Sequence, residues 1–228
     1  MLFASSQVRY RYVMVEELRL WAIPADAVRQ CFAAPPDLAA RLRAITDQLS
    51  GPHPLDSSPG LLSKLGPLLR HPAGAPLIRP CVPNRHDAEA MMTSRFIETE
   101  RLSAAWVLVG AWLDDLAQAH ATIPLPPDRI DELEFDLVRT GVPTQLSIRH
   151  LWQRCLGIPL RAGDDMAIGY MEYASVPRLI DQWSNALPEL ETSTAEFATA
   201  VLAFASPFPQ YAEDNSPAPD IIAWWSFA

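Results

Sequence analysis

Apolar residues along this chain change their period several times, and each change marks a structural element. The stretch "ELRLWAIP" (17–24) alternates: Leu18, Leu20 and Ala22 point one way, Arg19, Trp21 and Ile23 the other, and Pro24 ends the run. This predicts a strand, and "VRYRYVMV" (8–15) predicts another by the same pattern. After Pro24 the spacing lengthens to that of a helix, with Val28, Cys31 and Phe32 on one side. A second helix from Pro36 to Leu49 carries Leu38, Leu42, Ile45 and Leu49 as its stripe. A short helical piece at 58–71 is broken at Gly66-Pro67.

Residues 86–119 hold the longest helical pattern, with Met92, Ile97, Leu102, Trp106, Val109, Leu113 and Leu116, and neither proline nor glycine before Gly110. Its "AAWVLVGAWL" (104–113) is apolar on more than one face, which predicts one central, buried helix. A helix over 126–141 has Pro127 near its first position, acids in its first turns and Gly141 as its stop. Another over 143–157 has Thr144 as cap and Ile148, Leu151, Trp152 and Cys155 as stripe. Residues 174–187 place Val176, Leu179, Ile180, Trp183 and Leu187 on one side, and 193–204 opens with a capping box of Ser193 and Glu196.

The closing "DIIAWWSF" (220–227) predicts a strand with Trp224 and Trp225 on opposite faces. One indole belongs in the core, and the other needs a cover. A strand that ends a helical stretch needs a partner, and the N-terminal strands supply it. The fold class is therefore α+β: predominantly helical, with a small, mostly antiparallel sheet that pairs N-terminal and C-terminal strands and carries a helical layer. Residues 1–228 read as a single domain with a proline-rich connection at about 50–83.

Composition narrows the class. An apolar share of 49% supports a real core, and no run is long enough for a membrane span. The N-terminus "MLFASSQVRYRYVMV" is too interrupted by polar residues to be a secretory signal. Cys31, Cys81 and Cys155 are odd in number, far apart and without a CxxC, so neither a disulfide framework nor a zinc site is indicated. A cytoplasmic protein follows as the expectation. Cys31 and Cys155 fall on apolar stripes and are expected in the core.

The net charge of −9 is unevenly placed. Residues 1–120 hold 12 basic and 12 acidic side chains, whereas residues 121–228 hold 6 arginines against 15 acids. Such a surface repels phosphate backbones and attracts a basic partner, so no nucleic acid is expected as a ligand. The acids that could form a partner-facing surface are Asp128, Asp131, Glu132, Glu134 and Asp136 on the 126–141 helix, with Asp164 and Asp165 in "GDDM". The competing view is a solvated helix face that serves solubility alone. Two carboxylates for glycosidic cleavage should face each other across a cleft, not follow one another along a helix. Asp164-Asp165 lacks the DxDxDG pattern of a calcium loop and reads as a turn.

The one stretch that resembles a metal site is "NRHDAEAMM" (84–92). An HD-type metal-dependent phosphohydrolase would use His86 and Asp87, an earlier histidine (His53 or His71) and a later acid (Asp114 or Asp115). On one unbroken helix, Asp87 and Asp115 would stand roughly 40 Å apart at about 1.5 Å per residue, too far to share an ion. Asp87 is explained instead as a helix cap. There is no GxSxG, GxGxxG or GxxxxGK[ST], no papain-like cysteine context, and no cofactor is indicated. A small-ligand module would need a pocket between the sheet and the 86–119 helix, lined by Trp106 or Trp112.

Three segments share their order with a known group. "ELRLWAIPADAVRQCFA" (17–33), "IGYMEYASVPRLIDQW" (168–183) and "DIIAWWSF" resemble the opening, the Gly-Tyr-then-helix segment and the final strand of YfbM-like and related small bacterial domains of unknown function. Related domains often sit beside polymorphic toxin genes, so the resemblance implies an immunity-type or other binding role and carries over no site residue. The expectation is a non-enzymatic cytoplasmic protein-binding protein, an immunity protein that neutralises a toxin through its acidic face.

Overall fold

The computed structural model describes residues 16–50, 82–214 and 216–227. The strand expected at 8–15, the helical piece at 58–71 and most of the proline-rich connection lie outside those residues. So do His53, His71 and Cys81.

A four-stranded sheet forms the centre, in the order β2-β1-β4-β3, with every pairing antiparallel. β1 (Glu17–Ile23) and β4 (Asp220–Ser226) are the inner pair, so the two strands read from the sequence do meet. β2 (His120–Pro124) and β3 (Met166–Met171) flank them. Neither flanking strand is evident in the sequence pattern. β2 has only five residues, mostly exposed, and β3 contains Gly169.

Helices cover both faces, not one. Leu18, Leu20, Ala22, Ile221 and Ala223 point into a core made with α5 (Pro127–Arg139), α6 (Val176–Ala186), α7 (Thr192–Ala205) and α8 (Phe208–Asp214). Trp21, Ile23 and Ile222 point the opposite way, into a core made with α1 (Ala25–Gln30), α2 (Pro36–Ser50), α3 (Arg85–Met92) and α4 (Leu102–Leu116). A sheet buried on both faces needs apolar residues at consecutive positions, which is why "IIAWW" shows no polar alternation.

The long helical pattern of 86–119 is two helices. The α3 helix ends at Met92, and Ser94 follows with φ +53. The Ser94 and Arg95 N–H groups bond back to the carbonyls of Met91 and Ala90, and the Ser94 hydroxyl donates to the Phe32 carbonyl. This closure lets α3 fold against α2 before α4 begins. Gly110 on α4 gives Trp224 its space: a Cβ there would sit 3.4 Å from the indole. Trp224 packs edge-on against Trp106 with ring centroids 5.3 Å apart, and Trp225 on the other face stacks on Trp152 at 5.6 Å. Both indoles are thus covered from within the chain.

The helix expected at 143–157 is absent. Two short 3-10 turns, Thr144–Leu146 and Ile148–Leu151, take its place, separated by Ser147 in extended conformation. Tertiary bonds compete with the helix: the Trp183 indole donates to the Leu146 carbonyl at 2.8 Å, and the Arg149 N–H donates to Glu134 at 2.8 Å. The chain then runs beside β3, where the Tyr170 N–H donates to the Arg154 carbonyl at 3.1 Å. Cys155 consequently lies exposed, not in the core, while Cys31 is buried as expected. Gly169 makes the crossing possible, because a Cβ there would overlap the Trp152 and Arg154 carbonyl oxygens.

Candidate functional site

The uneven charge becomes a spatial division. Helices α5–α8, all from the acidic half of the sequence, cover one face of the sheet. Helix α5 carries the acid run on that side. Pro127 occupies its first turn, and it stops in a Schellman arrangement: Gly141 has φ +88, its N–H donates to Val138 and the Val142 N–H donates to Leu137. Ile130, Leu133 and Leu137 anchor it in the core.

The five carboxylates of α5 divide by helical position. Asp128, Asp131 and Glu132 share the outward side at spacings of three and four residues, and all three are exposed. Asp131 pairs with Arg149, whose backbone N–H is held by Glu134, so this neighbouring loop is clipped to the helix. Arg129 stands 3.3 Å from Glu132. Asp136 does not belong to the outward group. It is 4% exposed and serves the fold. Its carboxylate accepts the Glu191 N–H at 2.8 Å and the Arg139 Nε–H at 3.0 Å, and also bonds Thr194. Burial works against the charge, but these donors outweigh it and hold the Asp136 pKa below the usual carboxylate value. The same contact corrects the start of α7. Its N-cap is Glu191 with no side-chain cap bond, so the Ser193–Glu196 box does not form, and Asp136 supplies the negative charge at the helix N-terminus instead.

Asp164 and Asp165 form an exposed turn just before β3, and Asp164 stands 3.6 Å from Arg161. The register places Met166 and Pro124 at the same end of the sheet, on opposite edges. Three inter-strand steps of about 4.8 Å separate those edges by roughly 14 Å. The acids at 164–165 therefore share an end of the molecule with the start of α5 without touching it.

The His86-Asp87 pair is pulled apart by its helix. Asn84 and Asp87 form a reciprocal capping box, with the Asp87 N–H donating to Asn84 at 3.0 Å and the Asn84 N–H donating to Asp87 at 2.9 Å. Asp87, 3% exposed, also takes a two-pronged bond from Arg101, whereas His86 is exposed. The helix between Asp87 and Asp115 is broken, so their separation is not that of a straight rod. The later acids are engaged all the same: Asp114 accepts the Trp21 indole N–H at 2.8 Å and Asp115 accepts Arg41 at 2.6 Å. Among the described residues, no three His, Cys, Asp or Glu side chains converge as a metal would require.

Trp106 and Trp112 are packed into the core, and the Trp106 indole donates to the Arg161 carbonyl at 2.9 Å. Two hollows among the described residues lie beside α5. One is bordered by Glu16, Pro127, Asp128 and Arg129, and a narrower groove between β2, α5 and α7 is floored by Leu125, Leu133 and Phe197.

Two side chains that the acid pattern concealed lie on the outward side of α5. Phe135 is 72% exposed and Val138 47% exposed. The signal was available: Phe135 falls three residues after Glu132 and four after Asp131, and so belongs to the polar side of the helix.

Comparison with protein-family models, with curated proteins and with solved structures finds no match to this chain. No helix among the described residues is long and apolar enough to cross a membrane.

Proposed function

We propose that this chain is a non-enzymatic cytoplasmic protein-binding protein that presents its acidic side, led by α5, to a basic protein surface. An immunity-type role, occluding the cationic cleft of a toxin that acts on nucleic acid or nucleotides, is the form of this reading that the likeness to YfbM-like domains supports. The carrying observation is the sorting of charge on α5. Asp128, Asp131 and Glu132 face solvent, Glu134 is half-buried against the Arg149 loop, and Asp136 faces inward. Asp164 and Asp165 extend the acidic surface at the far edge of the same sheet end.

Exposed carboxylates chiefly steer association and resist wrong partners. Once a partner is identified by cross-linking in the native host, stopped-flow association at several salt concentrations tests the reading. Reversal of Asp131, Glu132 and Glu134 to lysine is expected to slow association by about tenfold or more at low salt and to flatten its salt dependence. An association rate indifferent to both overturns it.

A further inference from the structure

Steering charges do not by themselves hold a complex together. Slow dissociation needs a desolvated anchor, most often an aromatic side chain near the centre of the contact. Phe135 offers such a side chain. At 100° per residue, Asp128, Asp131, Glu132, Phe135 and Val138 form one continuous stripe along the outward side of α5, with Phe135 beyond the carboxylates and Val138 one turn further. The helix beneath is firmly held by Ile130, Leu133 and Leu137 and by the Asp136 network, so the ring projects from a rigid base.

We infer that Phe135, with Val138 beside it, is the anchor of the acidic α5 face, and that it seats in an apolar socket of a partner protein flanked by lysine or arginine on the side that meets Asp128, Asp131 and Glu132. This rests on the protein-binding reading above. The occupant is chosen by charge. A second copy of this chain would bring Asp128, Asp131 and Glu132 against their own likenesses, and the nearby arginines are already engaged: Arg129 by Glu132, Arg149 by Asp131 and Arg139 by Asp136. A neutral apolar surface would desolvate Asp128 and the outer sides of Asp131 and Glu132, for which Arg149 and Arg129 compensate only from the chain's own side. A basic flank beside an apolar seat satisfies both the ring and its neighbours.

The test uses the full chain and a defined probe: a fluorescent amphipathic helical peptide of leucine and lysine. Two control peptides carry serine for leucine or glutamate for lysine. Phe135→Ser is expected to weaken binding of the leucine–lysine peptide about tenfold or more by anisotropy, with partial recovery in Phe135→Leu. The serine-for-leucine peptide should show little sensitivity to Phe135→Ser, since the two losses concern one contact. Because Phe135 is exposed, the variant should melt with the wild type. Equal affinity of wild type and Phe135→Ser, or no binding by wild type, overturns the anchor. Light scattering that shows a dimer dissolved by Phe135→Ser also overturns it, in favour of self-association. If Phe135→Ser has no effect but Asp131→Lys with Glu132→Lys weakens binding, the anchor fails while the acidic-face reading stands. If the charge changes alone have no effect, the underlying reading fails.

Discussion

The Asp136 carboxylate accepts the backbone N–H of Glu191 at 2.8 Å, joining the outer acidic helix to the N-terminus of α7. Its folded pKa lies below the ordinary value. A depressed carboxylate contributes stability above its unfolded pKa, near 3.9, and that contribution disappears as pH falls through the lower folded value. Thermal melts by circular dichroism should show wild type losing stability as pH drops below about 4, and Asp136→Asn losing less over that window. At neutral pH, Asp136→Ala should cost about 3 kcal/mol, because it strands the donors that the carboxylate satisfies.

The Asp87–Arg101 pair is a second buried ionic contact, and it distinguishes a structural from a metal-binding role for the His-Asp sequence. Removing one member of such a pair costs about 3–5 kcal/mol. Arg101→Ala should therefore lower the denaturant midpoint strongly, whereas His86→Ala, at an exposed site, should stay within about 0.5 kcal/mol of wild type. Metal content measured on the purified protein should not change in His86→Ala. Stoichiometric metal lost in that variant would sink the structural account.

How much of this was legible beforehand depended on whether the deciding force was local. β1 and β4 could be read because both of their faces enter a core, and α5 because its first-turn proline, period and glycine stop agree. The break after Met92 could not, since it is decided by the Ser94 hydroxyl reaching Phe32, far away in sequence. The loss of the 143–157 helix has the same origin in Trp183 and Glu134. Of the candidate surface, the acids were evident as a group. The inward turn of Asp136 depends on its bond to the Glu191 N–H before α7, a contact that no helical period announces, and Phe135 lies among charged neighbours.

Gly169 leaves no room for a side chain where the 152–154 segment crosses β3. Gly169→Ala should destabilise by about 2 kcal/mol or more, since the obstruction is backbone and cannot rotate away. Hydrogen exchange should report it locally, as faster exchange of the Tyr170 amide, which Arg154 protects.

The two described cysteines should differ sharply toward alkylating reagents. Burial pushes the Cys31 thiol up to about 12, whereas Cys155 is exposed. Mass spectrometry after brief maleimide treatment should find Cys155 modified and Cys31 untouched until denaturant is added. Modification of Cys31 in the native protein would contradict its placement between α1 and the α3 layer.

The inner position of β4 imposes an order on biosynthesis. β1 emerges from the ribosome among the first described residues, yet its neighbour on one side is made some two hundred residues later, after every described helix. Until then the groups of β1 and β3 that β4 pairs with have no strand between them. Synthesis of β4 supplies both partners at once and joins β1 to β3 through a single strand.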